Sequence, residues 1–248
     1  MVISQEYADV PVGERAMRTF VAAPRAAGPY PGVLFYSDIF QLTGPMLRAC
    51  TRLAGYGFVV AAPEIYHRIE PAGTVLGFDD EGKARGQGDA EATPVADFDA
   101  DIRAAVDFLG RHESVGAVGA AGHCTGGHLA FRAAMLPEVQ ATACWYATGL
   151  HDGKLGADPD AGSLARADEI GGELLMIFGT RDPHTPEDGR HTIKRGLDES
   201  GVDFTWSLYD AEHAFGRDSG PRYDPEATDQ ALAETVALFR RVLTPAGR

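Results

Sequence analysis

Cysteine is scarce in this 248-residue chain: Cys50, Cys124 and Cys144 are the only three, and they lie far apart. Three scattered thiols exclude a disulfide framework and a structural zinc site, and an odd number leaves at least one free. Free thiols suit a reducing compartment, so a cytoplasmic location is expected. Basic residues are also few. Lys+Arg number 22 against 36 Asp+Glu, a formal charge of −14. That balance repels nucleic acid and anionic membranes, and neither is expected as a partner. Nowhere does the chain run to about 18 consecutive apolar residues, the length a transmembrane helix requires. Residues Met1 to Arg15 are charged, include Pro11 and Gly13 and lack an apolar stretch, so no signal peptide is expected. Repeats and low-complexity segments are absent too.

What is present suits one α/β domain over residues 1–248, because 44% hydrophobic content can fill a sizeable core. Short apolar runs read as strands at Ala16–Ala23, Gly32–Tyr36, Phe58–Ala62, Val115–Ala121, Ala141–Tyr146, Glu173–Phe178 and Phe204–Tyr209. Helical patterns fall at Met46–Ala54, Val95–Leu109, Gly127–Met135, Pro186–Glu199 and Pro225–Leu243. Within Val95–Leu109, for example, Phe98, Ile102, Val106 and Leu109 share one face. Pro71 to Ala92 and His151 to Ala167 read as long polar loops, the first as a loop or a helical excursion. Alternation of strand and helix predicts a mostly parallel sheet with helices on both faces.

In such a sheet, reactive groups sit at the carboxyl ends of strands. Gly122-His123-Cys124-Thr125-Gly126 follows one strand and opens a helix. It has the form of a nucleophile elbow, Gly-x-nucleophile-x-Gly, with cysteine as the nucleophile. Asp182 follows a later strand and His213 the one after. The order nucleophile, acid, histidine is that of an α/β-hydrolase triad. A thiolate at Cys124 would attack, His213 would move the proton, and Asp182 would fix the imidazole tautomer. Singly, each residue is as well explained by packing or a turn; the combination in this order favours the triad. The amide of Thr125, directly after the nucleophile, would be one oxyanion donor.

Gly122 to Gly127, the segment Gly-Thr-Arg-Asp-Pro-His-Thr-Pro at 179–186 and Glu-His-Ala-Phe-Gly-Arg at 212–217 resemble the dienelactone hydrolase family. The resemblance covers most of the chain. It implies an α/β-hydrolase fold, a Cys124-Asp182-His213 triad, no cofactor and a small, anionic substrate. In this family a glutamate controls the resting thiol; the matching position here is Asp38, one methylene shorter. Ile39 would supply the second oxyanion amide. Arg217 matches one of two arginines that hold the substrate carboxylate, and Arg85 is the candidate for the other. Phe40, Trp145 and Tyr146 are candidate pocket walls. The reaction implied is opening of a carboxylate-bearing lactone or ester through a Cys124 acyl-enzyme. A promiscuous carboxylesterase or thioesterase, or a non-catalytic binding or redox-sensing scaffold, are the alternatives. No metal is expected, since His151, His184 and His191 lack ligand spacing. A monomer or small homo-oligomer is expected.

Overall fold

The computed structural model describes residues 1–244. Its centre is an eight-stranded sheet: β1 (Ile3–Val12), β2 (Arg15–Pro24), β3 (Tyr30–Tyr36), β4 (Val59–Pro63), β5 (Val115–His123), β6 (Val139–Trp145), β7 (Glu173–Gly179) and β8 (Phe204–Tyr209). Their spatial order is β1-β2-β4-β3-β5-β6-β7-β8. From β3 to β8 all pairings are parallel; β1 and β2 form an antiparallel hairpin appended beside β4. The expected mostly parallel sheet is therefore observed.

Helices α1 (Gly44–Gly55) and α6 (Pro225–Leu243) pack on one face. On the other lie α3 (Val95–Gly110), α4 (Thr125–Ala133) and α5 (Glu187–Ser200). Each buries an apolar stripe: Met46, Cys50 and Leu53 in α1, Phe98, Ile102 and Leu109 in α3. β4 is buried at every residue, and β3, β5 and β6 over most of their length, which is why they read as apolar runs. The thiols of Cys50 and Cys144 are fully buried, and burial pushes both well above the ordinary range, so they pack as small apolar groups.

One element departs from the expectation, and a second decides between two readings left open, a loop or a helical excursion over Pro71 to Ala92. β1 lies where the sequence shows no apolar run, because six of its ten residues are exposed and its apolar ones are interrupted by Gln5, Glu6 and Asp9. Its order comes from ten register pairs with β2 rather than from burial. Residues 80–92 form a true helix, α2 (Asp80–Ala92), started by Asp79, whose carboxylate accepts from Gly82 N at 2.8 Å. Among the described residues, no helix is long and apolar enough to cross a membrane.

Candidate active site

Cys124 stands between β5 and α4 with φ +60° and ψ −123°, a conformation that non-glycine residues rarely adopt. The strain is held by packing. A methyl group on Gly122 would overlap the carbonyl of Gly126, so only glycine lets strand and helix approach this closely. The Cys124 amide donates to Trp145 O at 3.0 Å, and its carbonyl accepts from Gly127 N at 2.9 Å. The turn thus presents the sulfur at the head of α4, where the helix dipole favours negative charge.

His213 follows β8 and Asp182 follows β7. Their side chains meet with His213 Nδ1 2.7 Å from Asp182 Oδ2, both groups buried. The second carboxylate oxygen accepts the backbone N–H of His184 at 2.8 Å, which fixes its orientation. Burial works against a charge on His213, but the Cys124 sulfur and the Asp182 carboxylate outweigh it and hold the imidazole at about 9. Burial likewise opposes the Asp182 charge, yet His213 and the His184 amide keep its carboxyl below the ordinary range. Cys124 and His213 face one cleft of about 640 Å³.

Asp38 also faces that cleft, just beyond β3. Its Oδ1 accepts from Phe40 N at 3.1 Å, and its Oδ2 lies 3.6 Å from Arg217 Nη1. No hydrogen bond to Cys124 occurs among the described residues. Burial raises the Asp38 carboxyl, and Arg217, the Phe40 amide and His213 offset only part of that. The Arg217 guanidinium stacks 5.1 Å from the Phe40 ring centroid and 4.4 Å from that of Phe78. Its Nη1 is buried and donates to no hydrogen-bond acceptor among the described residues. Ile39 and Thr125 line the cleft too, and their amides find no backbone acceptor among the described residues.

Three expected pocket residues lie elsewhere. Arg85 points away from the cleft and grips Glu70 with two hydrogen bonds, of 2.6 and 2.5 Å. Two residues along α2 amount to about 200° of helical rotation, so Arg85 and Lys83 face nearly opposite ways. Lys83 is the one in the cleft. Trp145 turns toward α6 and donates its indole N–H to Thr235 Oγ1 at 3.1 Å. Tyr146, at φ +37°, lies under the site with its ring centroid 5.2 Å from that of His213 and its hydroxyl 3.0 Å from His123 Nδ1. Both support the site from behind. Phe40 is on the cleft wall as expected.

Sequence reading also overlooked Phe78, His184 and Arg222 as cleft residues. The His184 ring sits 4.5 Å from that of His213, edge to face. The only signal for the helix that brings Lys83 and Phe78 in was the cap at Asp79. Residue 86 lies where α2 crosses the loop after β3; a methyl group there would strike the carbonyl of Ile39. Among the described residues no cluster of His, Cys, Asp and Glu has the arrangement of a metal site.

Comparison with known proteins agrees with this architecture. The model of the dienelactone hydrolase family matches residues 17–243. A Saccharomyces cerevisiae protein, provisionally named a carboxymethylenebutenolidase, is 35% identical over 256 residues, covering 98% of this chain and 93% of its own. The carboxymethylenebutenolidase of a Pseudomonas species is 29% identical over 219 residues, covering 88% and 87%. A solved structure from Klebsiella pneumoniae, provisionally described as a dienelactone hydrolase, superposes with a TM-score of 0.83 at 23% identity, over 97% of this chain and 100% of that one. The chain belongs to the dienelactone hydrolase family, and is a hydrolase of ester or lactone bonds on the α/β-hydrolase fold.

Proposed function

We propose that this hydrolase opens small carboxylate-bearing lactones or esters through an acyl-enzyme on Cys124. The observation that carries the reading is the elbow: a strained Cys124 at a helix N-terminus, facing a histidine paired at 2.7 Å with a buried aspartate. His213 takes the thiol proton, and the thiolate adds to the substrate carbonyl carbon. The developing oxyanion sits between the amides of Ile39 and Thr125. When the tetrahedral adduct collapses, the C–O bond breaks and His213 returns its proton to the leaving oxygen. In a lactone that oxygen stays tethered to the acyl group. A water, deprotonated by His213, then attacks the thioester carbon and releases the thiolate with the free acid.

The anionic preference rests on Arg217. Its Nη1 lies 3.6 Å from the Asp38 carboxylate yet makes no hydrogen bond among the described residues, so the guanidinium keeps donor capacity that a substrate carboxylate can accept with a charge-assisted bond. Lys83, Lys154 and Arg222 add further cations to the same cleft. The test compares a carboxylate-bearing lactone with its methyl ester in wild type, Cys124→Ser and His213→Ala. Loss of turnover in both variants, an acyl adduct on Cys124 seen by mass spectrometry, and a higher kcat/KM for the free acid are expected. Undiminished turnover in both variants, or equal kcat/KM for acid and ester, counts against the respective half of the reading.

A further inference from the structure

The geometry points to a second binding site, on the α1 and α6 side of the sheet, for a neutral aromatic alcohol about the size of phenol. It is independent of the mechanism at Cys124.

The site is a pocket of about 100 Å³ between α1 and α6, over the carboxyl-terminal parts of β3, β5 and β6. Among the described residues, none in its wall also lines the catalytic cleft. The loop after His213 separates the two: Ala214 and Arg217 face the cleft, Gly216 and Asp218 the pocket. Phe35, Trp145, Leu53 and Leu232 give the pocket aromatic and aliphatic walls, and the exposed Arg48 and Arg52 rim its mouth. An engineered apolar cavity of about 150 Å³ takes benzene, so this smaller space, open at its mouth, holds one ring and little more.

One polar atom is offered to that ring. His123 is only 4% exposed, and its ring centroid lies 5.1 Å from that of Phe35 and 4.9 Å from that of Trp145. Its Nδ1 is 3.0 Å from the hydroxyl of Tyr146, which is not part of the pocket wall. Nε2 makes no hydrogen bond among the described residues, yet it is not sealed in protein, so it opens on the pocket. The Trp145 indole and the hydroxyls of Thr228 and Thr235, the other buried polar side chains of the wall, are already bonded. Water in the pocket therefore finds few partners, and an apolar ring displaces it at little cost.

Charge sets the ligand class. Both arginines at the mouth are already paired: Arg48 holds the Asp218 carboxylate through Nε at 2.7 Å and through Nη2, and Arg52 holds Asp229 at 2.8 Å. A ligand carboxylate would have to break one of these pairs. Burial, with Arg217 and His213 nearby, holds the His123 imidazole at about 3 and so keeps it neutral. A neutral ring nitrogen either donates or accepts, and a hydroxyl answers both, which a carboxylate or an ammonium cannot.

Isothermal titration with phenol tests the site, with toluene as the isostere that lacks the hydroxyl. Saturable phenol binding is expected, about tenfold tighter than that of toluene, which leaves Nε2 buried without a partner. Ala49→Phe fills the pocket from α1 and should abolish binding, with a melting curve to show that the variant folds. Wild type blocked at Cys124 with iodoacetamide should bind phenol as the free protein does. Absence of saturable phenol binding by wild type at millimolar concentration overturns the proposal, as does equal affinity for toluene, which would make the pocket a featureless void. Loss of binding in the blocked protein would place phenol in the cleft, and undiminished binding by folded Ala49→Phe would place it elsewhere; either overturns the proposal too. Should Ala49→Phe fail to fold, the toluene and blocked-protein comparisons decide.

Discussion

His213 Nδ1 lies 2.7 Å from Asp182 Oδ2, and the pair is sealed beneath a second histidine, His184, at a ring distance of 4.5 Å. This contact makes the protein's stability depend on pH. Despite burial, Cys124 and Asp182 hold His213 at about 9, against 6.5 for a free imidazole. A raised pKa means that the folded state binds the proton more tightly than the unfolded chain. The resulting stabilisation is complete below about 6.5 and is lost as pH rises through about 9. Thermal unfolding of wild type and His213→Gln between pH 6 and 10 checks this. The Tm of wild type should decline relative to the variant across that window. Parallel curves would mean that His213 does not hold the proton.

Charge recognition separates Lys83 from Arg85. Lys83 lines the cleft, whereas Arg85 is committed to Glu70. Lys83→Ala should raise KM for a carboxylate-bearing lactone about tenfold, equivalent to about 1.4 kcal/mol, and leave its methyl ester unaffected. Arg85→Ala should leave both KM values alone and lower Tm, because Glu70 is buried and loses its partner. Steady-state kinetics on the two substrates, with melting curves, distinguishes them. A KM effect in Arg85→Ala confined to the acid would restore Arg85 to the site.

The Lys83 and Arg85 exchange shows where sequence stops being informative. Strands buried on both faces announce themselves as apolar runs, and Cys124, Asp182 and His213 follow three of them in a telling order. Their meeting was legible because strand ends converge by topology. Helix α2 was not, since three glycines and an even spread of charge leave no apolar stripe. Without its phase, no rule could tell residue 83 from residue 85. Trp145 and Tyr146 failed for a related reason. Both lie at a strand end, but the positive φ at Tyr146 redirects the chain, and only the fold reveals that they back the site. β1 was missed because a hairpin edge is held by main-chain pairing, which composition does not record.

α2 should also control the oxyanion loop. Any side chain at position 86 meets the carbonyl of Ile39, whose amide is a proposed oxyanion donor. Gly86→Ala must move either the helix or that loop. A loop shift would lower kcat by about tenfold to a hundredfold, within the range for a lost oxyanion donor, while Tm changes little. Activity and melting measurements on one preparation decide it. Unchanged kcat would show that α2 yields and the loop does not.

Gly122 poses the opposite case, a position where structure fails before chemistry. Its missing side chain lets β5 and α4 meet at the elbow, and the atom in the way of a methyl group is the Gly126 carbonyl, a backbone group that cannot swing aside. Gly122→Ala must therefore pull the helix off the strand, breaking the bonds from Gly127 N and His128 N to Cys124 O. α4 is buried along its whole length, so the strain cannot be released to solvent. A loss of about 4 kcal/mol or more is expected, the range of severe core defects. Urea denaturation reads this directly. Should the variant unfold at the wild-type midpoint, the elbow would be looser than its geometry implies, and the strained φ of Cys124 could not be ascribed to this packing.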